Sequence, residues 1–496
     1  MRIIKDAQLQ FGEVDISTIT FDLRSRDELP KLLMGLQHMY CTPELRSKVF
    51  KILEEMLPEG VNTKTGRPGM ELWEIFVLGS VRLNCNWDYD KLLDMANNHR
   101  TLRLLLGHSQ WDMGGNYALQ TLKDNLRLFT PEVLNKINQV VVQAGHAVVG
   151  HSPDTGLKGR CDSFVVETNV HYPTDINVLF DAIRKLLILI TLVCGRVGIP
   201  GWRQSQHNIR KIKKLFRKAQ KMKRSTSKDP VKQAVRQELV QQAHQGYLDV
   251  VESFLEKIRQ TIKLLRDGKL ARQDELEELA HFVKHAERQI DQIRRRILQG
   301  EVIPHHEKVF SVFEEHTEWI CKGKAGVPQE FGVKICIVED QYGFLLHHQV
   351  MQKQTDEAVA ISIVQTTKRL FPELRSCSFD KGFYSPHTRE ELDEILDMPI
   401  LPKKGRLSKA DQERQFAEEF IQGRRQHPAV ESGIHALENH GLDRCPDHAL
   451  AGFTRYVALA VVARNLQILG HLLQQRAVQR QKRSGSIRKA LARKRQ

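Results

Sequence analysis

A chain of 496 residues is too long for one compact core, so several domains, or one core with a large insertion, are expected. Its 41% apolar and 27% charged residues are typical of a folded globular protein rather than a disordered one. Lys and Arg number 75 against 60 Asp and Glu, giving a net charge of +15. This charge favours polyanionic partners, nucleic acid first, although many soluble proteins are basic without a specific reason.

Cysteine usage and hydrophobicity predict a cytoplasmic protein that is not inserted in a membrane. The eight cysteines are scattered, without a CxxC pair or zinc-ligand spacing, as expected of reduced thiols in a cytosol. The first residues, MRIIKDAQLQFGEVD, lack an apolar stretch of signal-peptide length. The most hydrophobic run, Leu186 to Cys194, is too short to span a bilayer.

Residues 1–150 are predicted to form an all-helical domain. Between Leu29 and Val149 apolar residues recur mostly at helical spacing. Thr130-Pro131-Glu132 is typical of a helix start, and the segment from Gly66 to Gly69 interrupts the pattern as a turn. Short helices joined by turns could include a helix-turn-helix DNA reader, although no residue pattern identifies a recognition helix. We therefore interpret this region as a DNA-binding domain.

After the helical domain, the sequence predicts the start of a sheet, followed by a helical insertion. A run rich in β-branched residues, Arg160 to Val170, predicts a strand, and residues 151–176 are interpreted as the first part of a catalytic core. Residues 177–325 are interpreted as a helical insertion. Inside it, Leu248 to Leu265 and Leu276 to Ile297 keep a 3.5-residue apolar period on either side of Asp267-Gly268. This arrangement predicts an antiparallel helical hairpin.

A strongly basic segment precedes the hairpin. Arg203 to Lys228 contains eleven Lys and Arg residues and no acidic residue, so the segment repels itself unless an anion is near. A solvated face or a linker and a phosphate-contacting segment explain the charge equally well. The wider context favours DNA, with Arg210 and Lys214 as contacts.

Residues 326–479 return to alternating strands and helices, and residues 480–496 form a basic tail expected to be disordered when free. With the insertion removed, the element order predicts a mixed sheet flanked by helices, an α/β arrangement compatible with an RNase H-like core. The predicted elements are strands Phe331–Glu339, Phe344–Val350, Leu374–Phe379 and Pro399–Pro402, and helices Asp356–Arg369, Thr388–Leu396, one beginning near Pro428, and Ala449–Gln475.

Three carboxylates occupy positions in this core that are suitable for a metal site. Asp162 lies in the first strand, Asp380 follows the strand that ends at Phe379, and Glu431 lies on the late helix. Taken alone, each Asp is more simply a turn cap, and Glu431 a solvated helix residue. Brought together, they would repel one another unless cations occupied the cluster, and hard oxygen ligands select Mg²⁺ or Mn²⁺. The set therefore predicts a site for two such ions.

The sequence around these carboxylates resembles that of insertion-sequence DDE transposases of the ISNCY type. The matching segments are DSFVVETNVHYPTD from Asp162, FEEHTEWICKGK from Phe313, DKGFYS from Asp380, HPAVE ending at Glu431 and running on to HGLDR, GFTRYVALAVVARNL from Gly452, and WEIFVLGSVRLNCNWDYDKLLDMANNHRTLRLLLG from Trp73. The likeness covers nearly the whole chain. It differs at one signature. Related enzymes often have an Arg before the third carboxylate and a Lys after it, and this sequence has His427 and Glu438 at those positions.

The resemblance implies an RNase H-like catalytic fold in which Asp162, Asp380 and Glu431 hold two Mg²⁺ or Mn²⁺ ions. The implied activity is DNA cleavage and strand transfer on double-stranded transposon ends and target DNA. A homodimer or larger assembly on DNA, in a bacterial cytoplasm and near the nucleoid, is expected from the resemblance. Two alternatives stay open: a nuclease without strand transfer, and a non-catalytic DNA-binding protein derived from a transposase.

Five further basic residues are candidates to hold DNA phosphates, which would supply affinity with little sequence information. Ordinary surface charge is an almost equally good explanation of each. They are Lys322, Lys324, Lys381, Arg424 and Arg425.

Overall fold

The computed structural model describes residues 14–57, 69–109, 115–222, 226–321 and 329–493, with side chains up to residue 483. The turn predicted at Gly66 to Pro68 lies outside these residues. The chain divides into two compact units. Unit 1 comprises Met1–Thr168 and Lys322–Gln496, and unit 2 comprises Asn169–Cys321.

Helices make up most of the described chain. In chain order they are α1 (Glu28–Cys41), α2 (Pro43–Glu54), α3 (Leu72–Asn84), α4 (Tyr89–Asn98), α5 (Arg100–Leu105), α6 (Leu119–Leu126), α7 (Pro131–Val149), α8 (Asp175–Val197), α9 (Ser205–Lys221), α10 (Pro230–Asp267), α11 (Gln273–Ile293), α12 (Asp356–Leu370), α13 (Pro386–Ile395), α14 (Lys409–Phe416), α15 (Glu418–Gln426), α16 (Ala429–Leu437) and α17 (Ala449–Arg493).

The strands are fewer and shorter. They are β1 (Leu157–Thr168), β2 (Glu318–Ile320), β3 (Glu330–Glu339), β4 (Leu345–Met351), β5 (Leu374–Phe379), β6 (Met398–Ile400) and β7 (Arg444–Cys445).

The sheet of unit 1 is open and mixed, with the strand order β4-β3-β1-β5-β6. Strands β1, β3 and β4 form antiparallel pairs, whereas β5 lies parallel to β1 and β6 lies parallel to β5. The short strand β7 pairs in parallel with the end of β1. A mixed sheet flanked by helices, as the sequence predicts, is therefore confirmed.

The N-terminal helices of unit 1 share one hydrophobic core with this sheet. Fully buried side chains of the core include Leu32 on α1, Phe76 on α3, Val141 on α7, Ile337 on β3 and Val461 on α17. Burial of so many apolar side chains in one cluster is the main stabilising contribution to such a unit. The helices before the sheet and the strands after it therefore depend on each other for stability.

Helix α17 packs in the interior of unit 1. Its Ala449–Arg483 part is the one described segment long and apolar enough to cross a membrane, but 72% of its apolar window is buried inside the protein. A Cβ atom added at Gly470 would lie 1.7 Å from the carbonyl oxygen of Lys31, so only glycine allows α1 to approach this closely. The apolar face of α17 is thus used for packing within the unit.

Unit 2 is a bundle of α8 to α11 around its own apolar core. The two seams predicted as a hairpin lie on α10 and α11, which are joined by a turn at Gly268. Helices α8 and α9 add Leu186, Ile190 and Ile212 to the same core, and Phe180 stacks on Phe216. The basic segment therefore contains a packed helix, α9, and not only a linker.

Candidate active site

Strand pairing brings the first two carboxylates to the same part of the sheet. Cys161 on β1 pairs with Phe379 on the parallel strand β5, and Asp162 and Asp380 are the next residues of each chain segment. Asp162 is half-buried and accepts a hydrogen bond from the Ser163 backbone N–H at 2.7 Å, whereas Asp380 is exposed. Because the two strands run in parallel, the residues that follow this pair lie at the same level of the sheet, which explains the convergence although β1 continues beyond Asp162.

The third carboxylate, Glu431, lies in the first turn of α16. His427, just before this helix, faces the end of β5, because its Nδ1 lies 3.0 Å from the Ser378 hydroxyl. Burial lowers the pKa of His427, and the nearby charges of Asp380 and Glu431 oppose that shift. The start of α16 is therefore held beside the end of β5.

The pKa of Asp162 depends partly on the neighbouring carboxylates. Its pKa is raised to about 6, first by burial and then by the negative charges of Asp380, Asp356 and Glu431, while the Ser163 N–H acts in the opposite direction. Four carboxylates thus lie within electrostatic reach of one another. Within the described ranges, however, no three of them bring their oxygens within 4.8 Å of one another, as expected of like charges without a cation between them.

The fourth carboxylate, Asp356, was not recognised in the sequence as a site residue. It is the first residue of α12, where an acidic residue looks like a simple helix start. Its Oδ1 accepts a hydrogen bond from the Ser163 hydroxyl at 2.7 Å and lies 3.1 Å from the Lys334 Nζ. Lys334 therefore neutralises Asp356. By contrast, Asp380 and Glu431 have no basic partner in the described part of the protein.

An ion pair behind the site supports α16. Arg160, two residues before Asp162 on β1, pairs with Glu339 on β3 at 2.9 Å. Burial raises the pKa of Glu339 to about 7, and Arg160 opposes this rise. A Cβ atom added at Gly433 on α16 would lie 2.0 Å from a Glu339 carboxylate oxygen. The helix that carries Glu431 therefore packs directly on this pair, which the sequence analysis also missed.

The predicted DNA-contacting residues fall into three groups. Lys381, Arg424 and Arg425 are exposed in unit 1, next to Asp380 or on the helix turn that precedes His427. Arg210 and Lys214 lie on α9 of unit 2. Lys322 and Lys324 lie outside the described residues. The described members of this set thus belong to two different units.

Helix α9 carries an unusually uniform charge. Its buried face contributes Ile212 and Ala219 to the core of unit 2. Its opposite face lines a shallow surface groove formed by Arg210, Lys213, Lys214, Arg217, Lys218 and Lys221. None of these six side chains forms an ion pair with a described acidic residue. Such a face is suited to a row of phosphates.

Comparison with protein-family models, with curated proteins and with solved structures found no match for this chain.

Proposed function

We propose that this protein is a DDE transposase that cuts and joins double-stranded DNA at the ends of an insertion sequence. The observation that carries the proposal is that strand pairing makes Asp162 and Asp380 neighbours, while the start of α16, which carries Glu431, is held beside the end of β5. These are the three residues that the resemblance identifies as the metal-binding triad. They are far apart along the chain, and the fold of unit 1 brings the segments that carry them together.

The strand arrangement supports an RNase H-like core. Such a core has a three-stranded antiparallel meander followed by parallel strands on the other side of the first strand, which is the order β4-β3-β1-β5-β6. In this arrangement the first strand and the parallel strand next to it carry the first two carboxylates, as β1 and β5 do with Asp162 and Asp380.

The donor set fits divalent metal ions. Carboxylate oxygens select Mg²⁺ or Mn²⁺, and a cation would offset the repulsion between the half-buried Asp162 and the exposed Asp380 and Glu431. Asp162, Asp380 and Glu431 would hold two ions, which would supply Lewis-acid activation of the scissile phosphate and of the attacking water or 3′-hydroxyl. Asp356, already paired with Lys334, would position Ser163 and β1.

The chain's basic residues would hold the DNA. Lys381, Arg424 and Arg425 are exposed in the same unit as the carboxylates and would contact phosphates close to the cut. The α9 face would contact phosphates elsewhere along the DNA and add affinity that depends on salt. Activity on two transposon ends would require a homodimer or larger assembly, acting on DNA in the bacterial cytoplasm.

A joining assay tests this function. The substrates are a pre-cleaved DNA end, taken from inverted repeats that flank the coding region, and a supercoiled target plasmid, with Mg²⁺ present. A transposase transfers the 3′-hydroxyl end to a target phosphate and releases a target 3′-hydroxyl, so the transposon end becomes covalently joined to the plasmid. Cleavage without joining would identify a nuclease, and binding without either reaction would identify a non-catalytic DNA-binding protein. Both results would overturn the proposal.

A further inference from the structure

A second group of metal-ligating side chains lies in unit 2, apart from the acidic cluster. His281 and His285 are one helical turn apart on α11, and the Nε2 atoms of both approach the same oxygen of Glu315, at 2.8 and 2.7 Å. Within the described ranges, this is the only group of three or more such residues whose ligating atoms all lie within 4.8 Å of one another. Two elements of the unit, α11 and the segment after it, therefore meet at one point.

The donor types differ from those of the acidic cluster. Two imidazoles four residues apart on one helix face, together with one carboxylate, are the ligands and the spacing that suit Zn²⁺, whereas Mg²⁺ prefers oxygen ligands alone. His285 is buried, with 7% of its side chain exposed, while His281 and Glu315 are about half exposed. A bound ion would thus have one buried ligand, His285, and one side exposed to solvent.

We propose that His281, His285 and Glu315 form a site for a transition-metal dication, Zn²⁺ by its chemistry, with water in the fourth position. The inference does not depend on transposase activity.

The site would act as a cross-link within unit 2. Glu315 belongs to the segment that follows α11, and that segment already contacts the helix through Phe313 against Phe282. The segment also has an internal ion pair between Arg295, just after the helix, and Glu307. A metal ion that binds the folded arrangement and not the unfolded chain would stabilise this connection. We therefore assign the ion a structural role, with an open position that could also accept a ligand.

Calorimetric titration of the full-length protein tests the site. The protein is first treated with chelator and then titrated with Zn²⁺ in excess Mg²⁺, so that the acidic cluster does not compete. We expect one Zn²⁺ per chain, and an affinity at least about 100-fold lower in the His281→Ala/His285→Ala double variant, since loss of even an outer-shell partner costs about 10- to 100-fold. The matched control, His207→Ala/His306→Ala, removes two exposed histidines of the same unit and should bind normally.

Two further measurements separate loss of ligands from loss of folding. Glu315→Gln removes one charged ligand but keeps the side-chain size, so it should weaken binding while helical content stays unchanged. Co²⁺ in the wild-type protein should give the visible d–d bands of a tetrahedral site without a thiolate charge-transfer band. Wild-type affinity in the double histidine variant or in Glu315→Gln, or a thiolate band from cysteine ligands, would overturn the proposal. Asp380→Asn should leave this binding unchanged.

Discussion

Asp162 and Asp380 follow two residues, Cys161 and Phe379, that are directly paired on the parallel strands β1 and β5. The whole of unit 2 separates the two carboxylates in sequence, yet the strand register makes them neighbours. Burial raises the pKa of Asp162 to about 6, and the negative charges that the sheet brings close to it add to the rise. A cation is the simplest way to remove that cost.

Removing one charge from the site should abolish cleavage. In Asp162→Asn or Asp380→Asn we expect cleavage to fall about a thousandfold or more, because metal activation contributes several kcal/mol to the reaction. DNA binding should persist, since basic residues supply most of the affinity. Cleavage and gel-shift assays on the same DNA measure both quantities.

The control for these variants is Asp397→Asn, which removes one exposed carboxylate just before β6 in the same unit. It should cut DNA at the wild-type rate. Wild-type cutting by Asp162→Asn or Asp380→Asn would refute the assignment of the site.

The pKa of Asp162 predicts how the stability of the metal-free protein depends on pH. Its value of about 6 in the folded protein lies above the ordinary 3.8. The stability that protonated Asp162 contributes is therefore fully present below pH 3.8 and is lost as the pH rises through about 6. The loss amounts to at most about 3 kcal/mol. In chelator at pH 7.5, Asp162→Asn should thus be more stable than wild type by up to that amount.

Denaturant unfolding at pH 7.5 and pH 4 measures this difference, which should nearly disappear at the lower pH. Other buried acids such as Glu339 titrate in both proteins and cancel in the comparison. Mg²⁺ should stabilise the wild type more than the variant, because it binds the folded site. Equal stability of the two proteins in chelator at both pH values would contradict the raised pKa.

Local sequence patterns predicted much of the sheet. Strand Leu374–Phe379 was predicted with the bounds that β5 has, because its residues are bounded by turn-forming ones. Strand β1 begins at Leu157 rather than at the predicted Arg160, and Gly159 lies inside the strand, where an added Cβ atom would lie 3.1 Å from the Cys377 Sγ. A local pattern does not reveal such a long-range contact.

The residues of the candidate site likewise divide into those that the sequence predicted and those that it did not. Asp162 and Asp380 could be found in the sequence because one lies within a predicted strand and the other directly follows one, and Glu431 because of the resemblance. Asp356 and Arg160 could not, since their roles arise from long-range contacts with Ser163 and Glu339 that only the folded unit creates. Neither residue has a local motif around it.

The close packing of α16 on β3 should make Gly433 sensitive to substitution. In Gly433→Ala the added methyl group would meet the Glu339 carboxylate, which is held by Arg160. We expect a loss of about 1 to 3 kcal/mol in the free energy of unfolding, as for other overpacked sites, and reduced cleavage because α16 carries Glu431. Denaturant unfolding and a cleavage assay measure these effects.

Gly246→Ala is the matched control. Gly246 lies on α10 with no atom within 4 Å of an added Cβ, so this variant should gain up to about 1 kcal/mol from higher helix propensity. Equal effects of the two substitutions would show that α16 does not depend on close contact with β3.

The basic face of α9 should supply DNA affinity that is sensitive to salt. Each phosphate contact that is lost lowers the slope of log affinity against log salt by about 0.9, so Arg210→Gln/Lys214→Gln should reduce the slope by about 2. Lys263→Gln/Arg266→Gln removes two exposed charges from α10 of the same unit and should leave the slope nearly unchanged. Fluorescence anisotropy with transposon-end DNA at several salt concentrations measures both slopes. An equal decrease of the slope in the two variants would mean that the net charge of the protein, rather than the α9 face, attracts the DNA.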